Sequence, residues 1–326
     1  MYSDPNCVLA AGGNYSDPDC AADPDCETYS DPDCGFLPFV TVMKQELRLQ
    51  DPRLYQIAVL SLLVLFGVVA LDLGIQWYNA LAIVFAASAT QFIAGRAVGH
   101  STFDPRSVMI TALSLTLLLR TDSIVLAATA AACAIGSKFL IRVDGKHVFN
   151  PANFAIVLVL LLSDSAWVSS GQWGSGVVGA LALACLGVMV LTKARRAETT
   201  IGFLVVYAAL LFGRAIWLQD PLGIAVHALQ NGALLIFAFF MISDPRTTPD
   251  SAFGRLLFAA IVAVTAFTIQ FIYYQPNGPI LALIIAAPLV PLIDLLSRGS
   301  RYQWQGSHKQ ADSMRDVRNE HIEGAT

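Results

Sequence analysis

The sequence TTIGFLVVYAALLFGRAIW at residues 199–217 contains a single charged side chain, Arg214. A bilayer core about 30 Å thick is crossed by roughly 20 mostly apolar residues in a helix, so this stretch is long and apolar enough to span a membrane. The rest of the chain agrees, because 56% of its 326 residues are hydrophobic and only 13% are charged, about half the roughly 25% of a soluble domain. The composition predicts an integral membrane protein.

Further apolar runs lie on both sides of this stretch, separated by charges, prolines and glycine clusters. Each run is read as one helix across the bilayer. We therefore predict an all-α, polytopic membrane protein with about ten transmembrane helices, at residues 54–75, 77–95, 106–119, 122–142, 151–168, 174–192, 199–217, 222–242, 254–274 and 279–297.

The basic residues indicate the orientation of these helices, because Lys and Arg gather in cytoplasmic loops. With a cytoplasmic N-terminus, ten spans place 18 of the 20 basic residues on the cytoplasmic side, leaving only Arg120 and Arg214 on the other. One helix more or fewer in the middle would destroy this alternation. We predict a multi-pass protein of the inner (plasma) membrane with both termini in the cytoplasm. No basic segment followed by an apolar run opens the sequence, so we expect no signal peptide.

The ends of the chain differ from the ten-helix membrane domain predicted at 51–297. Residues 298–326 are a polar cytoplasmic tail of mixed charge, and residues 1–50 form an acidic cytoplasmic segment. The acidic segment repeats Asp-Pro-Xaa-Cys four times. Four thiolates are a donor set for zinc or an iron–sulfur cluster, although their spacings of 13, 6 and 8 residues are not the paired Cys-x-x-Cys pattern. The alternative is an acidic tail whose cysteines bind a partner protein or nothing. The candidate metal ligands are Cys7, Cys20, Cys26 and Cys34.

Two polar segments lie at ends of predicted helices, where polar groups mark functional candidates. FNPAN at 149–153 opens the fifth helix, so Asn150 and Asn153 either cap that helix or, with its first amides, face an anionic or electron-rich ligand. SDPRTTP at 243–249 follows the eighth helix. Its two prolines make a rigid turn, from which Asp244, Arg246 and Thr247 are placed to orient a cofactor or to gate a path.

Other polar residues predict a cavity and a repeated architecture. His227, Gln230 and Asn231 lie within one turn of the eighth helix, on a face turned toward a cavity or another helix. Asp-Pro at 104–105 recurs at 220–221, and the 150–153 run has a loose counterpart in QPNGP at 275–279. In each pair, the second member lies five predicted helices after the first. A repeat of five helices must be inverted in the membrane, as in many transporters with sites at the midplane.

At the two polar segments the chain resembles a family of membrane subunits that includes the D subunit of the Rnf complex and the B subunit of the sodium-pumping NADH:quinone oxidoreductase. The residues that carry the resemblance are Lys138, Gly145, FNPA at 149–152 and FMISDP at 240–245. The resemblance covers roughly residues 50–297 and agrees with the ten-helix topology. It implies a flavin-carrying subunit that passes electrons across the membrane beside other membrane or redox subunits. The cofactor-binding candidates are then Lys138, Asn150, Asn153, Asp244, Arg246 and Thr247.

One family feature is missing. Family members attach FMN covalently to a Thr in the loop after the fifth helix, but here that loop reads SDSAWVSSGQWG at 163–174, and no Thr occurs between Thr129 and Thr192. We therefore expect any flavin, FMN or riboflavin, to be held noncovalently. Trp167 and Trp173 could stack on a ring, although tryptophan is common at membrane interfaces. The loop is similar to that of a divergent branch of the family found near enediyne biosynthesis genes.

Three functions follow from these features. The first is a subunit of a flavin-dependent electron-transport system embedded in the lipid bilayer and coupled to ion movement. The others are a membrane transporter without redox activity and a scaffold subunit that has kept the fold but lost the cofactor. Whether the chain is itself an enzyme is left open, since the resemblance implies a subunit of an oxidoreductase complex. Nothing in the sequence indicates a nucleic-acid partner.

Overall fold

The computed structural model describes residues 52–99, 103–168 and 197–300. In the first half, helices α1 to α5 cover Pro52–Val69, Trp77–Ala97, Pro105–Leu118, Ile124–Leu140 and Pro151–Leu162. In the second half, α6 covers Ala197–Leu218, α7 Leu222–Leu229, α8 Gly232–Ile236 with a π-helical turn at Phe237–Met241, α9 Ala252–Phe271, α10 Gly278–Ala286 with a 3₁₀ turn at Ala287–Leu289, and α11 Val290–Leu296.

Nine of the ten predicted helices coincide with apolar helices of the described residues. The remaining one, the sixth, at 174–192, lies outside them, as do the segment 1–50 and residues 301–326 of the predicted tail. Four of the described helices are each long and apolar enough to cross a bilayer, and the bent pair Leu222–Leu229 and Gly232–Met241 adds a fifth. Large apolar side chains cover the outer surface of the helices, with Phe85 77%, Trp217 85% and Leu296 87% exposed. Since such a surface requires lipid, the chain is an all-α polytopic membrane protein.

The prediction was wrong about three helices. The first, predicted to reach residue 75, ends at Val69. The helix that begins at Pro151 ends at Leu162 instead of reaching residue 168, and strand β4 (Ala166–Val168) follows it. This strand pairs antiparallel with β1 (Leu119–Thr121), directly after α3. The predicted span 222–242 is not continuous either, since it bends by 51° between α7 and α8. At this break Asn231 caps α8 by accepting from the amides of the next turn.

A short hairpin connects α4 to α5. Its strands are β2 (Arg142–Val143) and β3 (Lys146–His147). Asp144 and Gly145, with φ of 50° and 78°, form the turn between them. Asp-Gly with both φ values positive is the preferred sequence for a two-residue hairpin. The hairpin ends at His147, four residues before α5 begins at Pro151.

The strongest helix contacts follow the order of the predicted repeat. In the first half, α2 packs against α4, and α4 packs against α5; in the second half, α6 packs against α9, and α9 packs against α10. Prolines stand in the first turn of α3, α5 and α10, and Pro221 precedes α7. The two halves meet where α5 contacts α10. There the buried side chain of Asn153 donates to the carbonyl oxygen of Ile280, 3.1 Å away.

Candidate functional site

The FNPAN and SDPR segments, predicted separately from the sequence, meet in the structure. Asn150 caps α5, because its Oδ1 accepts from the Asn153 amide at 3.1 Å. Its Nδ2 donates to the carbonyl oxygen of Met241 at 3.3 Å and lies 3.5 Å from a carboxylate oxygen of Asp244. One side chain therefore fixes the start of α5 against the end of the π-helical turn, and the two predicted segments share one site.

A cavity of about 90 Å³ lies beside this contact and is called the Lys138 cleft. Polar side chains line it from α1, from α3, from α4 and from both polar segments. Aromatic rings of the π-helical turn close one wall. The ionisable side chains of the lining are those of Arg53, Asp104, Lys138, His147, Asp244 and Arg246.

The ammonium group of Lys138 is buried in this cleft, and its side chain is held by α3. Its Nζ donates to Thr111 Oγ1 at 2.8 Å, to Ser107 Oγ at 3.1 Å and to the Ser107 carbonyl oxygen at 3.2 Å. Among the described residues, no carboxylate oxygen lies within 4 Å of this nitrogen. Burying a cation without a paired acid is costly. A ligand that presents an anionic or carbonyl oxygen to the cleft would recover part of that cost.

The other charged side chains of the cleft come from the start of α1, from the residue before α3 and from the SDPR turn. Arg53 of α1 pairs with Asp104 at 2.7 Å, immediately before α3. Asp244 accepts from the backbone amide of Arg246 at 3.0 Å, which shapes the SDPR turn. The guanidinium of Arg246 extends across to His147 Nε2, 3.4 Å away. The cleft is thus bordered by more basic than acidic groups.

His147 is the one titratable group of the cleft in the connection between α4 and α5, outside the transmembrane helices. Burial, and after it the positive charges of Arg246, Arg142 and Lys138, lowers the pKa of His147 to about 3 from its ordinary value of 6.5. The imidazole is therefore neutral at physiological pH. A neutral Nε2 accepts a hydrogen bond, so the contact with Arg246 is one in which the guanidinium donates.

A cluster that the sequence analysis missed holds the hairpin against the second half. Lys146 Nζ lies 2.9 Å from an Asp250 carboxylate oxygen and 2.8 Å from one of Asp294, and donates to the Thr248 carbonyl oxygen at 2.9 Å. The other oxygen of Asp294 accepts from the Asp250 amide at 2.8 Å. Asp294, an acid within a run of apolar residues, was the available sequence signal. The cluster fixes His147 relative to the SDPR turn.

The six predicted cofactor residues occupy different places. Lys138, Asn150, Asp244 and Arg246 line the cleft. Asn153 instead contacts α10, and Thr247 is buried in the SDPR turn with its hydroxyl 3.3 Å from the Asp244 carbonyl oxygen. No sequence signal singled out Ser107 and Thr111, which hold the lysine. The predicted metal ligands Cys7, Cys20, Cys26 and Cys34 lie outside the described residues, within which no three His, Cys, Asp or Glu side chains cluster.

Comparison with known proteins supports the resemblance in the second half of the chain, which contains the SDPR segment. Residues 168–303 match the model of the NQR2, RnfD, RnfE family. The chain is 31% identical over 140 residues to the proteins named as the D subunit of the ion-translocating oxidoreductase complex in Escherichia coli O1:K1, in E. coli strain K12/DH10B and in Shigella boydii serotype 18. In each case the match covers 42% of this chain and 35% of the relative. It therefore spans about a third of the length of these relatives, and the resemblance to the family is confirmed over the matched residues.

Proposed function

We propose, from the match of residues 168–303 to the NQR2, RnfD, RnfE family, that the chain is a membrane subunit of an ion-translocating electron-transport complex. The observation that carries the proposal is the contact between Asn150 and the SDPR turn. This contact joins a motif of the first half, outside the matched residues, to a motif of the second half, within them. Such a complex sits in the inner membrane, with the Lys138 cleft opening toward the cytoplasm.

The proposed cofactor is a flavin bound noncovalently, with its polar edge in the cleft. Its pyrimidine edge presents two carbonyl oxygens on either side of an N–H group. Lys138 and Arg246 supply donors for the oxygens, and Asp244 supplies an acceptor for the N–H. When bound, a flavin supplies the electron-transfer chemistry, and the protein positions it.

The space in the cleft limits how this ligand fits. A cavity of about 90 Å³ is smaller than the ~300 Å³ at which pockets begin to enclose drug-sized ligands. The lining therefore fits the polar edge of the ring, while the remainder of the flavin lies outside this cavity or enters when the cleft widens. Phe239 and Phe240, which line the cleft, are the apolar groups placed to contact the ring.

The flavin content of the purified protein tests the proposal. We expect flavin absorbance in detergent extracts of the complex and release of the flavin on denaturation, because the loop after α5 offers no Thr for covalent attachment. Asp244→Asn, which exchanges one carboxylate oxygen for an amide, and Arg246→Gln should each lower the flavin-to-protein ratio severalfold. Arg96→Gln is the matched control, since Arg96 lies in the last turn of α2 and does not line the cleft.

A protein without flavin would overturn the redox proposal. It would favour a second function, ion or small-molecule transport without redox chemistry, for which the broken helix is the specific observation. The 51° bend between α7 and α8 is of the kind that transporters use to bind substrates near the midplane. Normal flavin content in both cleft variants would mean that the flavin lies elsewhere.

A further inference from the structure

A second cavity, of about 270 Å³, lies between the β2–β3 hairpin and the end of α11. We call it the hairpin cavity. His147 lines both this cavity and the Lys138 cleft, so the two adjoin at that side chain. The ionisable residues of the lining, besides His147, are Asp144, Lys146, Asp250, Asp294 and Arg298.

Two contacts hold the end of α11 beside the turn that precedes α9. The hydroxyl oxygens of Ser297 and Ser251 lie 2.8 Å apart. Gly299 approaches the backbone so closely that an added Cβ would lie 2.5 Å from the Asp250 carbonyl carbon and 2.6 Å from the Ser251 nitrogen. A larger residue would force the backbone to shift. These contacts fix Arg298, which lies between Ser297 and Gly299, at the border of the cavity that Asp250 also lines.

The buried carboxylates of the cavity are not fully balanced by cations. Lys146 Nζ is shared by Asp250 Oδ1, at 2.9 Å, and Asp294 Oδ2, at 2.8 Å. Asp250 Oδ2 has no hydrogen-bond partner among the described residues, although the Asp250 side chain is only 10% exposed. Two carboxylates with one ammonium leave one negative charge in a mostly buried cluster. Since burying an unbalanced charge is costly, a cationic group of a ligand would be favoured at Asp250 Oδ2.

Two exposed groups of opposite charge border the same cavity. Asp144 lies in the turn of the hairpin, and Arg298 follows the last residue of α11 by two positions. Within the described part of the chain, neither has an oppositely charged group within 4 Å. Three carboxylates and two cations, with His147 neutral, give the lining a net negative charge. The lining therefore disfavours a simple anion and fits a ligand that carries a cationic group and one anionic group.

The apolar surface beside the cavity indicates that this ligand is a lipid. The side chains of Leu292, Leu295 and Leu296 on α11 are 55%, 70% and 87% exposed, and Leu295 also lines the cavity. These leucines face the hydrocarbon of the bilayer. Arg298, just beyond the helix, lies where basic side chains reach the head groups of the lipids. The charged cavity thus lies next to the surface on which acyl chains pack.

We propose that the hairpin cavity binds the head group of a zwitterionic phospholipid with a primary ammonium, the chemistry of phosphatidylethanolamine. The ammonium donates to Asp250 Oδ2 and to Asp144, the phosphate pairs with Arg298, and the acyl chains lie along the leucines of α11. A primary ammonium has three N–H donors, which a choline group lacks. The cavity approaches the ~300 Å³ of pockets that enclose drug-sized ligands, so the head group fits while the chains remain outside. This site does not depend on flavin in the Lys138 cleft.

Three phospholipids with identical acyl chains test the proposal. Phosphatidylethanolamine carries the ammonium, phosphatidylcholine carries the same charges without N–H donors, and phosphatidylglycerol carries no cation. The full chain, freed of lipid in detergent, is titrated with each phospholipid, and bound lipids are counted by native mass spectrometry. We expect one phosphatidylethanolamine to bind about tenfold more tightly than either of the others, the effect of one hydrogen bond between charged groups.

Variants of the two acids assign this preference to the cavity. Asp250→Asn should lower the affinity for phosphatidylethanolamine to about that for phosphatidylcholine, because the excess negative charge is gone. Asp144→Asn should lower it about threefold, since ion pairs of exposed groups are weak. Asp144 has no bonded partner among the described residues, so this variant retains the test if Asp250→Asn fails to fold. Asp72→Asn is the matched control, because Asp72 is also exposed, has a φ of 46° against 50° for Asp144, and lies outside the cavity.

A variant of the basic residue tests the place of the phosphate. Arg298→Gln should weaken the binding of all three lipids by a similar factor, about threefold, because the phosphate is common to them and Arg298 is exposed. The preference for phosphatidylethanolamine should remain. Arg96→Gln is the matched control, since Arg96 is also exposed near the end of a helix and does not line the cavity.

Four results would overturn the proposal. Equal affinity for the three lipids, or no bound lipid, would show that the charged groups select no head group. Tighter binding of phosphatidylglycerol would show an anion site at Arg298. An unchanged preference in both Asp250→Asn and Asp144→Asn would place the ammonium elsewhere, and unchanged affinities in Arg298→Gln would do the same for the phosphate.

Discussion

Arg120, in strand β1 before helix α4, and Lys138, in the last turn of α4, are two basic side chains buried to the same degree, 6% exposed. Arg120 donates to four backbone carbonyl oxygens, those of Leu73, Thr116, Leu117 and Leu119, at 2.7 to 3.2 Å. Lys138 donates to two hydroxyls and one carbonyl beside a cavity. The first cation completes a helix end, whereas the second faces a space that a ligand can enter.

The difference follows from where each helix ends. The last carbonyls of α3 have no partner within the helix, and a positive charge at a helix C-terminus is favourable. Arg120, just after α3, donates to these carbonyl oxygens. It also donates to the carbonyl oxygen of Leu73, in the connection before α2. Lys138 contacts the first turns of α3, where the Thr111 hydroxyl already has a partner, since its Oγ1 donates to the Ser107 carbonyl oxygen at 3.0 Å. We infer that Arg120 serves stability and Lys138 serves binding.

Replacement of Arg120 should have the largest effect on stability. Arg120→Met keeps much of the apolar stem but leaves buried carbonyl oxygens without their donor, at about 1–3 kcal/mol for each group that water cannot reach. We expect a loss of about 3 kcal/mol or more in the free energy of unfolding, measured by denaturant unfolding in detergent micelles.

The control for this variant is Arg214→Met. Arg214 pairs with Asp220 at 3.2 Å, but both side chains are about one third exposed, and an exposed ion pair contributes about 0–1 kcal/mol. Equal losses in the two variants would contradict the assignment of Arg120 to the end of α3.

Acidic pH should lower the stability of the region around His147, near the Lys138 end of α4, by less than the Arg120→Met substitution lowers the stability of the chain. The lowered pKa of His147, about 3 against 6.5 when unfolded, means that the unfolded chain takes up a proton below about pH 6.5 that the folded chain does not. Stability that is present above this pH is therefore lost as the pH falls toward about 3. The loss is about 1.4 kcal/mol per pH unit within that window.

Unfolding of the wild type and of His147→Gln at about pH 7 and about pH 5 measures this loss. The wild type should lose about 2 kcal/mol more than the variant between these conditions. An equal pH dependence in both proteins would show that His147 is not held neutral. Hydrogen exchange should place the acid-induced opening at the hairpin and the SDPR turn, and not at the Arg120 end.

Much of this comparison could be predicted from the sequence, and part of it could not. Apolar length alone located nine of the described helices, because the need for roughly 20 apolar residues per span leaves a strong local signal. Asn150 and Asp244 were singled out because polar residues at helix ends are rare among such runs. Arg120 was recognised only as an exception to the charge pattern.

What could not be predicted depends on contacts between distant parts of the chain. Ser107 and Thr111 resemble any hydroxyl side chains of a membrane helix until α4 places Lys138 beside them. The early end of α5 and the strand pair formed by β1 and β4 depend on how the two connections meet. Asn153 follows Asn150 by less than one turn, yet it contacts α10, because positions three apart on a helix still differ in direction by about 60°.

Replacement of Lys138 should have the smallest effect on stability, which makes it the sharpest test of the comparison. Lys138→Met removes a buried cation that has no acid within 4 Å among the described residues, while Thr111 keeps its hydrogen bond to the Ser107 carbonyl oxygen. The lost hydrogen bonds and the relieved burial of charge oppose each other, so we expect a change below about 1 kcal/mol in either direction. The measurement is the same denaturant unfolding as for Arg120→Met. A loss as large as that of Arg120→Met would show that Lys138 is as structural as Arg120, whereas a stable protein would mean that this buried charge is retained for what it binds.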